Sequence, residues 1–345
     1  MNKPGRPTLE QVAARAGVGR GTVSRVVNGS PQVSQETREA VQAAIDELGY
    51  VPNRAARALV TQRTDSVALV VSESEERVFG EPFFAGIVRG ISTVLADTEL
   101  QLWLALAQSP TERQRIEQHL TYQHVDGVML LSLHDSDPLP GLLADRGLPT
   151  VLGGRPARMV RPGGSGDDGV SYVDVDNEGG ARTAVAHLAA AGRRRIGVIA
   201  GPQDMGVGVA RLAGYWEALR GAGLPSDETL VAYGDFSETS GVRATAYLLA
   251  QRPDLDAIFA ASDLMAVGAL RALRDAGRRV PAEVAVVGFE DSTLARQTDP
   301  PLTTVFQPVE AMGREMARLL VARIAGEPAG RYTLLDTHLV SRASG

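Results

Sequence analysis

The 345-residue sequence predicts two fold classes in series: a small all-α unit opening with a helix-turn-helix and closing with a short further helix, then a long α/β body of two parallel-sheet lobes. Three observations predict this. Two short amphipathic helices flank Gly17. From Ser66 onward, short apolar runs alternate with helix-length amphipathic stretches. That rhythm stops at the glycine-rich segment 161–169, which reads as a mobile loop, and then begins again. The length exceeds one ordinary domain, and 44% hydrophobic residues suffice for a large core.

Within residues 8–28, Thr8 and Gln11 form a capping box, and Leu9, Val12, Ala13 and Ala16 give the first helix its buried stripe. Val23, Val26 and Val27 repeat the stripe on the second helix. Arg20, Thr22, Ser24 and Arg25 are thereby left on its other faces, the layout of a recognition helix. A third helix starts at Ser34, carries Val41, Ile45 and Leu48 on one face, and stops at Gly49. Asn53 then caps a short helix with Arg54 and Arg57 on one flank and Leu59 exposed; two turns are marginal alone in water.

Charge separates the same two parts. The whole chain carries −6, yet residues 1–64 hold nine Lys/Arg against five Asp/Glu, so the remainder carries −10. A basic front end on an acidic body suits a nucleic-acid partner for the former. With no cysteine there are no disulfides or thiolate metal sites, and no apolar run reaches the roughly 20 residues of a membrane span. A cytoplasmic protein without membrane association is expected.

Enzyme chemistry finds little support. The loop Gly201–Gly208 follows an apolar run but lacks both the third glycine of a dinucleotide fingerprint and the lysine of a P-loop. His119, His124, His134, His187 and His338 show no metal-ligand spacing, and no Gly-x-Ser-x-Gly elbow occurs. Neither metal nor cofactor is expected.

In the body, strands are predicted at 67–71, 100–107, 127–131 and 150–152, then at 172–175, 196–200, 230–233, 257–261 and 284–288, with helices between them. A helix over 309–324 and a terminal strand over 334–340 complete the pattern. Polar or aromatic residues stand at strand ends, where open α/β sheets bind ligands. Ser72 follows the first strand and Phe83 opens the next helix; Ser262 and Asp263 follow 257–261, and Glu290 follows 284–288.

The segments Thr-Val-Ser-Arg-Val-Val-Asn (22–28), Val33-Ser34, Thr37-Arg38 and Leu48-Gly-Tyr-Val-Pro-Asn-Arg-Ala-Ala (48–56) resemble the lactose-repressor (LacI) family. The resemblance implies a DNA-binding regulator with a helix-turn-helix domain over 1–52, a hinge helix and linker over 53–65, and a periplasmic-binding-protein-like body over 66–345. It divides the body into lobe 1, about 66–175 and 308–327, and lobe 2, about 176–306 and 328–345. The chain would cross between lobes near Asp174–Asp176, near Thr304–Gln307 and after Gly326. It implies that Thr8, Arg20, Gly21, Thr22, Ser24, Arg25, Asn28, Asn53, Arg54, Ala56 and Leu59 face DNA, with Leu59 wedged into the minor groove. Apolar wedges of that kind kink a duplex. Arg20 would pair with guanine, so a G-rich, near-palindromic operator is expected for a homodimer or higher homo-oligomer.

The segment 201–215 resembles a family signature whose arginine, here Arg211, holds effector oxygens. The effector set implied is Ser72, Phe83, Arg211, Phe236, Ser262, Asp263, Glu290 and Gln307, with Trp103 as a further apolar platform, and a sugar is the natural ligand. The family usually has Asp where Glu290 stands and often Asn where Ser262 stands, which leaves the ligand open. At closer range, 18–25, 54–61, 201–205 and 286–292 resemble actinomycete cellobiose-responsive repressors of cellulase genes. Two alternatives stay open: a sugar-binding receptor of the same body fold, and a regulator using its ligand as corepressor.

Overall fold

The computed structural model describes residues 7–27, 29–51, 63–161, 163–164 and 169–345. Asn28, Asn53, Arg54, Ala56 and Leu59, with the expected hinge helix, lie outside them, as do 162 and 165–168 of the glycine-rich loop. The chain divides into a small unit ending at Thr64 and a large one holding nearly all of the chain from Asp65.

The small unit is three helices, α1 (Leu9–Ala16), α2 (Arg20–Val27) and α3 (Gln35–Leu48). The Thr8–Gln11 capping box is present, Gly17 turns the chain with φ +68°, Ser34 caps α3, and Gly49 ends it with φ +60°. Val12, Val23 and Val41, one from each helix, are fully buried together.

The large unit alternates strands and helices. In order these are β1 (Ser66–Val71), α4 (Glu75–Gly80), α5 (Pro82–Leu95), β2 (Gln101–Leu106), α6 (Pro110–His119), β3 (Gly127–Leu131), α7 (Leu139–Asp145), β4 (Thr150–Gly153), α8 (Ala157–Val160) and β5 (Ser171–Val175). The second run is α9 (Asn177–Ala190), β6 (Ile196–Ala200), α10 (Gly206–Gly221), β7 (Val231–Tyr233), α11 (Glu238–Gln251), β8 (Ala257–Ala260), α12 (Asp263–Asp275), β9 (Ala285–Glu290) and β10 (Thr303–Phe306). The chain closes with α13 (Val309–Ala325), β11 (Tyr332–Leu335) and β12 (His338–Val340).

Two six-stranded sheets result, ordered β11-β5-β4-β3-β1-β2 and β12-β10-β9-β8-β6-β7. Every pairing is parallel except β10 with β12. Parallel strands are covered on both faces, which is why β1, β3 and β6 are buried throughout and, Ser66 apart, apolar. Each sheet carries a core on either side. Helix α13 returns to the first lobe and lies close against α5: a Cβ on Gly90 would fall 2.2 Å from the Glu310 carbonyl oxygen, and one on Gly313 2.3 Å from that of Ile87. Among the described residues no helix is long and apolar enough to cross a membrane.

The chain crosses between lobes after β5, after β10 and between β11 and β12. The third crossing corrects the expectation that the chain leaves the first lobe after Gly326. Gly326 does end α13, with φ +71°, but Tyr332–Leu335 then joins the first sheet beside β5 in parallel register, and the chain leaves only at Asp336-Thr337. The single terminal strand expected over 334–340 is thus two strands in different lobes. The crossings brace one another: Asp176 N–H donates to the Leu335 carbonyl (2.9 Å), and the Thr337 hydroxyl donates to that of Asp176 (3.1 Å).

Candidate functional site

On the small unit, Arg20, Gly21 and Arg25 are exposed on α2 and Thr22 and Ser24 half-buried, while Val23 and Val26 point into the core. Arg20 pairs with Glu10 at 3.1 Å, both side chains largely in solvent. Thr8 holds the start of α1 through its capping bonds with Gln11. The exposed set is thus one helix face with two guanidinium groups and a glycine that lets a neighbour approach its backbone.

In the large unit both sheets reverse their strand order at the first strand of the lobe, between β1 and β3 and between β6 and β8. Such switch points open crevices at the carboxyl ends of the strands. A single cleft, about 730 Å³ counting its open side, is lined by residues following β3, β4, β5, β9 and β10 together with the starts of α5 and α10.

Arg211, on α10, is its centre and only 2% exposed. Its Nε donates to Asn177 Oδ1 (2.8 Å), Nη1 to the Ala261 carbonyl (2.5 Å) and Nη2 to Gln307 Oε1 (3.0 Å). The guanidinium also lies 3.6 Å from the centroid of the Phe289 ring. These bonds use three of its five N–H groups, leaving two for a ligand. Burial pulls Arg211 down to about 10, against the opposing charges of Glu290, Asp174 and Asp263, so it stays protonated at neutral pH.

The partners are themselves held. Asn177 Nδ2 donates to Asp174 Oδ1 (2.9 Å), and Asp174 Oδ2 accepts from Arg155 Nε (2.7 Å). Because Asp174 lies next to the end of β5 and Asn177 starts α9, this chain of bonds passes through the first crossing and joins an arginine of each lobe.

Glu290 ends β9 with φ +119°, a strained conformation for a side-chain-bearing residue. Among the described residues no cation lies within ion-pair distance of its carboxylate. Burial, then the neighbouring Asp263 charge, pushes Glu290 up, against Arg211. Phe236, with φ +70°, lays its ring on Gly201, where a Cβ would fall 2.3 Å from the ring. Phe83 and Phe84 pack edge to face at 5.3 Å and line the other lobe's side.

Of the residues expected at a ligand, Phe83, Arg211, Phe236, Glu290 and Gln307 line one cleft. Ser72, Ser262, Asp263 and Trp103 do not, and each has another occupation. Ser72 donates to Asp137 Oδ2 (2.6 Å). Ser262 caps α12, accepting from Met265 N–H, and is 1% exposed. Asp263 accepts from the Thr304 hydroxyl (2.6 Å) and Ser292 N–H (2.7 Å); burial raises it despite those bonds. Trp103 sits on the edge strand β2, stacked 4.6 Å from the His119 ring. Sequence reasoning missed Arg77, Ser132, Arg155, Asp174 and Asn177 as cleft groups. A signal existed for two of them, since Asp174 and Asn177 stand at the expected crossing.

Residues 8–53 match the lacI family of bacterial regulatory proteins, and residues 185–345 match a periplasmic binding protein-like domain. The chain is 60% identical over 346 residues, all of both chains, to the HTH-type transcriptional regulator CelR of Thermobifida fusca. Among solved structures it resembles a transcriptional regulator CelR–cellobiose complex, with 58% identity, 99% and 100% of the two chains covered and a TM-score of 0.78. It also resembles the lac repressor dimer bound to operator and the anti-inducer ONPF, with 28% identity, 99% of each chain covered and a TM-score of 0.83. These relatives are transcriptional regulators rather than enzymes. With a helix-turn-helix ahead of a two-lobed body, and full-length identity of this extent, the chain belongs to the lacI family of bacterial DNA-binding transcriptional regulators.

Proposed function

We propose that the chain is a sugar-responsive repressor: a homodimer holds a near-palindromic, G-rich operator and releases it when cellobiose or a related oligosaccharide occupies the cleft. The observation that carries the reading is Arg211, buried and fixed with two N–H groups uncommitted, beside the Glu290 carboxyl group and the Phe236 ring. Guanidinium and carboxylate suit vicinal hydroxyls, and an aromatic face suits the C–H side of a pyranose. The likeness to a regulator solved with cellobiose supports that sugar class.

Arg20, Thr22, Ser24 and Arg25 read the major groove, and the segment 53–60 acts as the hinge helix that orders on DNA. Closing the cleft rotates one lobe on the other and separates the paired hinge segments. The lobe divisions and the DNA-facing set belong to the same proposal.

Fluorescence anisotropy of a labelled G-rich palindrome, with cellobiose, other disaccharides and glucose titrated in turn, tests target, ligand and sign together. Cellobiose is expected to weaken operator binding roughly 5- to 150-fold. Tighter binding would make the sugar a corepressor, and no change with any saccharide would overturn the effector reading.

A further inference from the structure

The two lobes meet at a second place, away from the crossings. The loop after β3 presents His134 and Asp135, and the loop after β6 presents Gln203 and Asp204. His134 Nδ1 lies 2.8 Å from Asp204 Oδ2, and Asp135 N–H donates to the Asp204 carbonyl (2.9 Å). Arg161 of the first lobe reaches over to donate to the Gln203 carbonyl (2.9 Å) while pairing with Asp135 (2.6 Å). Both loops are pinned from within their own lobe: Asp137 takes the Ser72 hydroxyl (2.6 Å) and donates its N–H to the His134 carbonyl, and Gln203 Nε2 donates to the Gly201 carbonyl (2.8 Å). Beside them the lobes touch backbone to backbone, since a Cβ on Gly206 would fall 1.9 Å from the Arg155 carbonyl oxygen.

His134, Asp135, Arg161 and Asp204 do not line the cleft. They join the lobes without reaching a ligand held between them. We propose that these residues form a latch across the mouth of the cleft, and that its strength, not only the groups touching the sugar, sets effector affinity. The inference rests on the effector reading above.

The physical reason is population. A ligand binding only the closed arrangement has an apparent Kd equal to its intrinsic Kd divided by the closed fraction. Contacts made between lobes only on closure raise that fraction in the empty protein. Partly exposed polar contacts are individually weak, which suits a switch that must open and close near balance. The latch residues are therefore positioning residues: they act through the closed fraction and leave the binding groups unchanged.

The chain has no cysteine, so Gln118→Cys on α6 and Ala250→Cys on α11, both exposed and one in each lobe, take a pair of nitroxide labels cleanly. Double electron–electron resonance on the full-length labelled protein then reads lobe separation, with cellobiose as the added probe. In the empty protein the double substitution His134→Ala, Arg161→Ala is expected to lengthen and broaden the distance. It is also expected to raise the cellobiose midpoint for operator release at least about five-fold, with no loss of operator affinity in the absence of sugar. Gly206→Ala removes no polar contact and is expected to wedge the same seam open. Unchanged distances in both variants would overturn the latch, as would widened distances with an unmoved midpoint. If wild-type protein answers no saccharide, the effector reading fails, while the label distances still decide whether the latch holds the lobes.

Discussion

Arg20 and Arg211 put the same side chain to opposite uses. Arg20, 72% exposed, leans on Glu10 through one solvent-facing pair. Arg211, 2% exposed, is fixed by three hydrogen bonds and an aromatic face. An exposed cation moves to a partner at little cost, because the pair it leaves is worth little in water. A buried one cannot move, so the ligand must come to it and the protein must close around both. The first arrangement suits reading a large external surface, the second suits converting a small molecule into a change of shape.

The largest expected effect tests the buried member. Arg211→Ala strands Asn177 Oδ1, Gln307 Oε1 and the Ala261 carbonyl, each at roughly 1–3 kcal/mol if left without a donor. The sugar response is expected to vanish in anisotropy titrations and the melting temperature to fall, while operator binding without sugar persists. Arg211→Lys is expected to fare little better, because a single ammonium cannot make the three-way fork. A retained response in either variant would show the cleft cation to be structural only.

Next in size is the exposed member. Arg20→Ala is expected to lower discrimination between operator and a scrambled duplex by roughly 1–3 kcal/mol, with nonspecific affinity changing far less. Equal losses on both duplexes would make Arg20 a phosphate contact and remove half of the contrast.

Legibility follows the same division. The polar face of α2 could be read locally, from the valines at 23, 26 and 27 and the polar residues between them. Strands β3 and β6 could be read to the residue, because each is a wholly apolar run, β3 between Asp126 and Ser132 and β6 between Arg195 and the Gly201-Pro202 turn. The cleft depends on which strand ends the topology brings together, and no local pattern reports that. Ser262 and Asp263 stand at a strand end with the right chemistry, yet the helix that starts there takes Ser262 as its cap, and Thr304 and Ser292 take Asp263. Asp174, read only as part of a crossing, and Asn177 just beyond it turned out to carry the bonds between the two cleft arginines. The crossing at Asp336-Thr337 was hidden because β11 alternates half-buried and exposed residues straight into it, as one longer edge strand would.

Glu290 offers an intermediate effect that sharpens the buried side of the comparison. Burial and Asp263 hold its carboxyl above the ordinary glutamate value, so it keeps its proton at pH values where an exposed glutamate has lost it. A sugar hydroxyl donating to it favours the carboxylate, so binding releases a proton. Affinity for cellobiose is therefore expected to rise with pH through the raised range, by at most about ten-fold per unit, and then level off. Calorimetry in two buffers of different ionisation enthalpy reads the released proton directly. Glu290→Gln is expected to bind more weakly and to lose the slope; a slope that survived the substitution would place the titrating group elsewhere.

The smallest expected effect lies at Glu10. Among the described residues its carboxylate is the ion-pair partner of Arg20, and it also stands in the first turn of α1, where the helix dipole favours negative charge. Glu10→Gln therefore acts in two directions. It releases Arg20 and removes a negative charge from beside a cation proposed to face DNA, so operator binding is expected to tighten, by less than about five-fold. It also weakens the start of α1, so the small unit is expected to melt slightly earlier. Anisotropy at low and high salt separates the two, since the gain in affinity is electrostatic and must shrink as salt is added, whereas the loss of helix stability must not. A gain that persisted at high salt would mean that Glu10 restrains Arg20 by shape and not by charge, and the ease with which an exposed arginine changes partner would no longer explain how this face works.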